Sequence, residues 1–159
     1  AVCAGNRLRA VVKDGGQVDL GAALSRSRDG GPLEALVHID SGMSRLGLPP
    51  EETRRLAAER HRLDGLRLTL VMSHLACAEQ PDNPMNAAQR TEFDGLRALL
   101  PSAPASLANS SGIFLGAEYH YDLGRPGVAL YGVNPTPGKP NPMTEVVRPI
   151  GRASCRERG

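Results

Sequence analysis

Two loops of this chain carry the groups that a phosphate needs. Leu107-Ala108-Asn109-Ser110-Ser111-Gly112 reads as a strand end, then a polar loop opening a short helix. Sixteen residues after Asn109, Arg125-Pro126-Gly127-Val128 reads as a second strand end with an Arg and a Gly. Ser hydroxyls and exposed backbone N–H groups donate to phosphate oxygens, and Gly lets the backbone come close. Arg125 is placed to touch a ring that carries the phosphate. Asn and Ser are also the preferred helix N-caps, and the local sequence does not separate capping from binding.

Three further residues stand at strand ends. In His38-Ile39-Asp40-Ser41-Gly42-Met43-Ser44-Arg45-Leu46-Gly47, His38 and Asp40 are two apart and share a face. Arg45, past a Gly turn, can reach a carboxylate or a phenolate oxygen. A solvated loop Arg is the plainer alternative. His74 follows the apolar run Leu68-Thr69-Leu70-Val71-Met72-Ser73, a better placement for chemistry than a helix face. His61 and His120 lack it and read as surface or capping residues. The only lysines are Lys13 and Lys139, and neither sits where an aldehyde would be captured.

The elements that must position these groups alternate. Strands are expected at 8–12, 35–40, 66–73, 105–108 and 128–131. Helices are expected at 18–28, from Pro50 to about His61, and at 86–100, with a helical turn at 111–115. The helix at 50–61 has Pro at its start and Glu51 and Glu52 in its first turn, as the helix dipole prefers. Phe93, Leu96 and Leu100 line one face of the helix at 86–100. Strands alternating with helices imply βαβ units and a parallel sheet. No G-x-G-x-x-G follows a strand, which removes the main support for a dinucleotide fold. A full (β/α)8 barrel has eight units in about 250 residues. The four or five units here read as part of such a TIM-type barrel, its second half, within residues 1–133. Residues 134–142 read as a stiff, extended Pro-rich linker. Residues 143–150 read as the first strand of a β-rich C-terminal domain. Residues 151–159 read as a non-native tail, and the start at Ala1 without Met reads as a truncation.

Composition excludes several classes. With 40% apolar and 23% charged residues, the chain is a globular protein. No run approaches the roughly 20 apolar residues of a membrane span. A net charge of +2 gives no basis for a nucleic-acid partner. Cys3, Cys77 and Cys155 fit no disulfide framework and no zinc spacing, so no metal is expected and a reducing cytoplasm is the default.

These segments, in this order, resemble the alanine racemase family, pyridoxal 5'-phosphate (PLP) enzymes of fold type III. The resemblance rests on 38–47, Ser73-His74-Leu75-Ala76-Cys77-Ala78, 107–112 and 121–132, and covers most of residues 8–149. It implies interconversion of L- and D-alanine, D-alanine supply for peptidoglycan, and a cytoplasmic homodimer. It implies catalytic roles for Arg45 and His74. Arg125 matches the Arg facing the pyridine nitrogen, where an undissociating guanidinium limits the cofactor as an electron sink. His74 matches the His beside the ring, hydrogen-bonded toward that Arg. Ser110, Gly127 and Val128 match the phosphate cradle, with Asn109 adjacent. Arg45 matches the Arg near the phenolic oxygen and the substrate carboxylate.

The chain departs from the family at His38, where many members have a carbamylated Lys that steadies the Arg. His38, Asp40 or a bound anion is expected to orient Arg45 instead. The family's cofactor-binding Lys and its catalytic Tyr match no residue here, so the chain alone is expected to be inactive. A racemase of broader specificity, a non-catalytic PLP-binding barrel, and an unrelated phosphate-binding barrel remain alternatives.

Overall fold

A computed structural model describes residues 9–146. Its strands are β1 (Ala10–Val12), β2 (Leu33–His38), β3 (Leu66–Met72) and β4 (Ala105–Ser106). They form one parallel sheet in the order β1-β2-β3-β4. Each strand lies beside its predecessor, so the intervening chain crosses over between parallel neighbours every time. The crossovers hold helices α1 (Gly15–Arg26), α2 (Pro50–Ala58) and α3 (Pro84–Arg97). Between β2 and β3 the register shifts after Ala35, and Thr69 Oγ1 donates to Ala35 O at 3.2 Å across the irregularity.

Local chemistry sets the helix ends. Asp14 caps α1 by accepting from Gln17 N at 2.9 Å, so α1 begins three residues before Val18. Pro50 and Pro84 sit in the first turns of α2 and α3, where a missing N–H costs nothing. Helix α2 stops at Ala58, and residues 60–63 tighten into a 3-10 turn rather than extending it to His61. Leu56, Phe93 and Leu96 are fully buried against Val37, Ile39, Val71 and Leu107.

Three expectations need correction. Residues 128–131 form a 3-10 turn, not a strand. Pro126 has no N–H to give a ladder, and the N–H groups of Gly127 and Ala129 turn toward Ser110 Oγ instead. The chain beside β4 is an earlier stretch: Asp122 N bonds Ala105 O at 3.1 Å and Arg125 N bonds Ala108 O at 2.9 Å. Residues 134–142 are not extended. Asn134 Nδ2 reaches Lys139 O at 2.8 Å and Asn141 Nδ2 reaches Gly132 O at 2.9 Å, which folds the segment back. Residues 143–146 form no strand, and residues 147–150 and 151–159 lie outside the described residues, as do Cys3 and Cys155.

Candidate functional site

Parallel strands deliver all their C-terminal ends to one edge of the sheet. That edge carries His38 and Asp40 after β2, Ser73 and His74 after β3, and Asn109 and Ser110 after β4. Arg125 joins them because its backbone pairs with Ala108.

Arg125 is half-buried and its guanidinium has a made seat. One terminal nitrogen donates to Ser106 Oγ and the other to Ser73 O. Ser106 Oγ in turn donates to Leu123 O. Burial pulls the Arg125 pKa down from its ordinary value, though a guanidinium so placed stays charged. Both terminal nitrogens are directed at serines of the strand ends rather than at His74. The Arg125 charge nonetheless reaches His74, whose pKa is lowered first by burial, then by Arg125 and Arg45. Burial, followed by Arg125, His74 and Lys13, pushes His38 down to about 4. Both imidazoles are therefore neutral at pH 7, inside a cluster of positive charge.

Arg45 is exposed on a loop closed at its base. Ile39 pairs with Leu48, with Asp40 N on Leu48 O and Leu48 N on His38 O, both 2.8 Å. Asp40 Oδ1 accepts the N–H groups of Gly42, Met43 and Ser44 at 2.9, 2.9 and 3.0 Å. Asp40 thus orients the Arg45 loop through its backbone. His38 faces Arg125, His74 and Lys13. Of the groups expected to orient Arg45, Asp40 is the one that bonds the backbone of the loop carrying it.

Ser110 is buried, and its Oγ accepts Gly127 N at 2.8 Å and Ala129 N at 3.3 Å. Gly127 itself is exposed, and a Cβ there would sit 4.0 Å from Ser110 Oγ, over the same spot. Val128 is exposed at half its surface, and the backbone N–H that reaches Ser110 is that of Ala129. Asn109 caps the next turn: its Oδ1 accepts Gly112 N at 2.8 Å. Asn109 thus serves as a cap, while Ser110 ties its loop to the turn at Gly127 to Ala129. His61 and His120 are exposed, and His120 Nε2 bonds Ile113 O at 2.8 Å.

Sequence reasoning missed Ser73, Ser106 and Ala129. A polar residue inside an apolar strand, as Ser106 is in β4, was the available signal for one of them. Backbone donors and carbonyl acceptors leave no such mark.

The donor set fits a phosphorylated aromatic cofactor. Ser110 Oγ accepts two backbone N–H groups and keeps its own O–H free to donate, and the Asp40 carboxylate is occupied by its own loop. Residues 1–135 match the family model described as the N-terminal domain of alanine racemase. That match covers the domain and does not carry the narrower expectation that these residues are the barrel's second half. The catabolic alanine racemase of Mesorhizobium japonicum is 56% identical over 147 residues, 92% of this chain and 38% of that protein. The alanine racemase of Rhodospirillum rubrum is 52% identical over 126 residues, 79% of this chain and 34% of that protein. This chain therefore spans well under half the length of the curated relatives it matches. The structure of Bartonella henselae alanine racemase with covalently bound pyridoxal phosphate superposes with a TM-score of 0.85 at 31% identity, covering 91% of this chain and 42% of that one. The chain belongs to the alanine racemase family.

Proposed function

We propose that these residues form part of the PLP site of an enzyme that interconverts L- and D-alanine. The carrying observation is Arg125, seated on Ser73 and Ser106 beside the Ser110 cradle. In this reading the Ser110 hydroxyl, with the turn at Gly127 and Val128 that it anchors, holds the phosphate, and Asn109 keeps the loop folded. Arg125 faces the pyridine nitrogen and keeps it unprotonated. When bound, PLP draws electrons from the substrate α-carbon and so acidifies its proton. His74, held neutral by burial and by Arg125 and Arg45, would lie beside the ring without adding charge. Arg45 reaches the phenolic oxygen and the alanine carboxylate.

The strands, each beside its predecessor, are part of a (β/α)8 barrel, with residues 1–133 in that domain. The enzyme is a cytoplasmic homodimer that supplies D-alanine for peptidoglycan. No described helix is long and apolar enough to cross a membrane. The Lys that tethers the cofactor and the Tyr that serves the opposite face match nothing here, so the chain alone does not racemise alanine.

The product of the complete gene is expected to racemise alanine in a D-amino-acid oxidase assay. Ser110→Ala in that product removes a hydrogen bond to a charged group and should weaken PLP binding roughly tenfold or more by equilibrium dialysis. Unchanged PLP affinity would refute the cradle. An adduct fixed on Lys13 by borohydride in the 159-residue chain would overturn its inactivity.

A further inference from the structure

Gln89 is 1% exposed, lies on α3, and takes no part in the site as described. A helix residue meant only to pack would be apolar, because a buried amide costs free energy unless both its ends are bonded. Both ends are bonded, and to a single turn of chain. Gln89 Nε2 donates to His74 O at 3.0 Å, and Gln89 Oε1 accepts Ala76 N at 2.8 Å. The amide therefore fixes the chain on both sides of Leu75, and with it the direction of the His74 side chain. The stem of Gln89 also backs the neighbouring loop: a Cβ on Gly42 would stand 3.5 Å from Gln89 Cγ. Gly42 belongs to the loop that carries Arg45. A second tie runs parallel, since Ser41 Oγ and Ser73 Oγ share a buried hydrogen bond of 2.7 Å between the same two loops.

We propose that Gln89 is a positioning residue: its amide sets the His74 turn and its stem backs the Arg45 loop, which fixes the two groups relative to each other. The proposal rests on the racemase reading, and its test separates the two.

The experiment uses the complete gene product with Gln89→Met, which keeps the volume and loses both hydrogen bonds, and Gln89→Glu, which keeps the acceptor for Ala76 N. In Gln89→Met, His74 is released from its buried turn near Arg125 and Arg45. Its imidazole titration by NMR should move up toward the ordinary His value. The turnover number should fall roughly tenfold or more, as misplacement of an active-site group by a fraction of an ångström does. In Gln89→Glu the new carboxylate repels His74 O when ionised and donates to it when protonated. The ratio of its turnover number to wild type, read only where both proteins are fully folded by circular dichroism, should therefore rise as pH falls. An unmoved His74 titration in Gln89→Met, or a pH-independent ratio in Gln89→Glu, overturns the proposal. If Gln89→Met does not fold, the Gln89→Glu ratio decides alone. If the wild-type product does not racemise alanine, the racemase reading fails and the His74 titration still judges Gln89.

Discussion

His38 shows how a single residue carries a cost that its setting imposes. It is 8% exposed, and its folded pKa of about 4 lies below the 6.5 of a free imidazole. Between those values the unfolded chain binds a proton that the folded chain refuses. Stability is then complete above about pH 6.5 and is lost as pH falls toward 4, by roughly 3 kcal/mol in all. Urea midpoints at pH 7.5 and pH 5 should differ accordingly in the gene product. His38→Gln, which cannot titrate, should shrink that difference, and an equal difference in both proteins would sink the assignment to His38. The cause is legible in part from the chain itself, because a His ending an apolar strand must be buried or exposed at a sheet edge. The size of the shift was not legible. It comes first from burial and then from Arg125, His74 and Lys13, which lie far apart in sequence and are gathered because parallel strands end together.

At the scale of elements, the loop at 40–48 is the best defined part of the site, and its definition is backbone chemistry. Gly47 has φ of +108°, and a Cβ there would stand 2.8 Å from Asp40 N and from Ile39 C. Gly47→Ala combines a left-handed backbone with a clash against main chain, and should cost roughly 1–3 kcal/mol of stability. Asp40→Ala leaves three amides without their acceptor and should speed hydrogen exchange at Gly42, Met43 and Ser44, whereas Asp40→Asn keeps Oδ1 and should not. Equal exchange in both Asp40 variants would remove the clamp from the account of Arg45. This loop was readable from Asp-Ser-Gly and the following Gly, because turn chemistry is local. Residues 128–131 were not readable. Val-Ala-Leu-Tyr has strand composition, and what bends it is a hydroxyl from Ser110, nineteen residues from Ala129 in the chain. Helix α3 was readable from the spacing of Phe93 and Leu96, and Gln89 within it was not, since its partners His74 and Ala76 lie on another element.

At the scale of the molecule, the sheet is unequal at its two sides. The outer side of β4 is covered by residues 122–125, whose backbone bonds Ala105 and Ala108. Helix α3 pins that cover from behind: Tyr121 meets Phe93 edge-on at 5.2 Å and donates to Asp94 Oδ1 at 3.1 Å, and burial with Asp94 raises the Tyr121 pKa. On the other side, β1 is the edge of the sheet, and its Val11 is 36% exposed. Apolar surface is also concentrated on the turn after Arg125, where Leu130, Tyr131 and Val133 are each more than half exposed. An open parallel edge and an apolar patch both favour association over solvation. The 159-residue chain expressed alone should self-associate in light scattering at micromolar concentration. Charge on the β1 edge, as in Val11→Lys, should reduce the mass observed if the edge is the contact, while Leu130→Lys should do so if the patch is. A monodisperse monomer with cooperative thermal unfolding would mean that the described residues satisfy their own sheet. The Ser110 cradle and the Arg125 seat would then form a self-sufficient unit rather than one wall of a larger site.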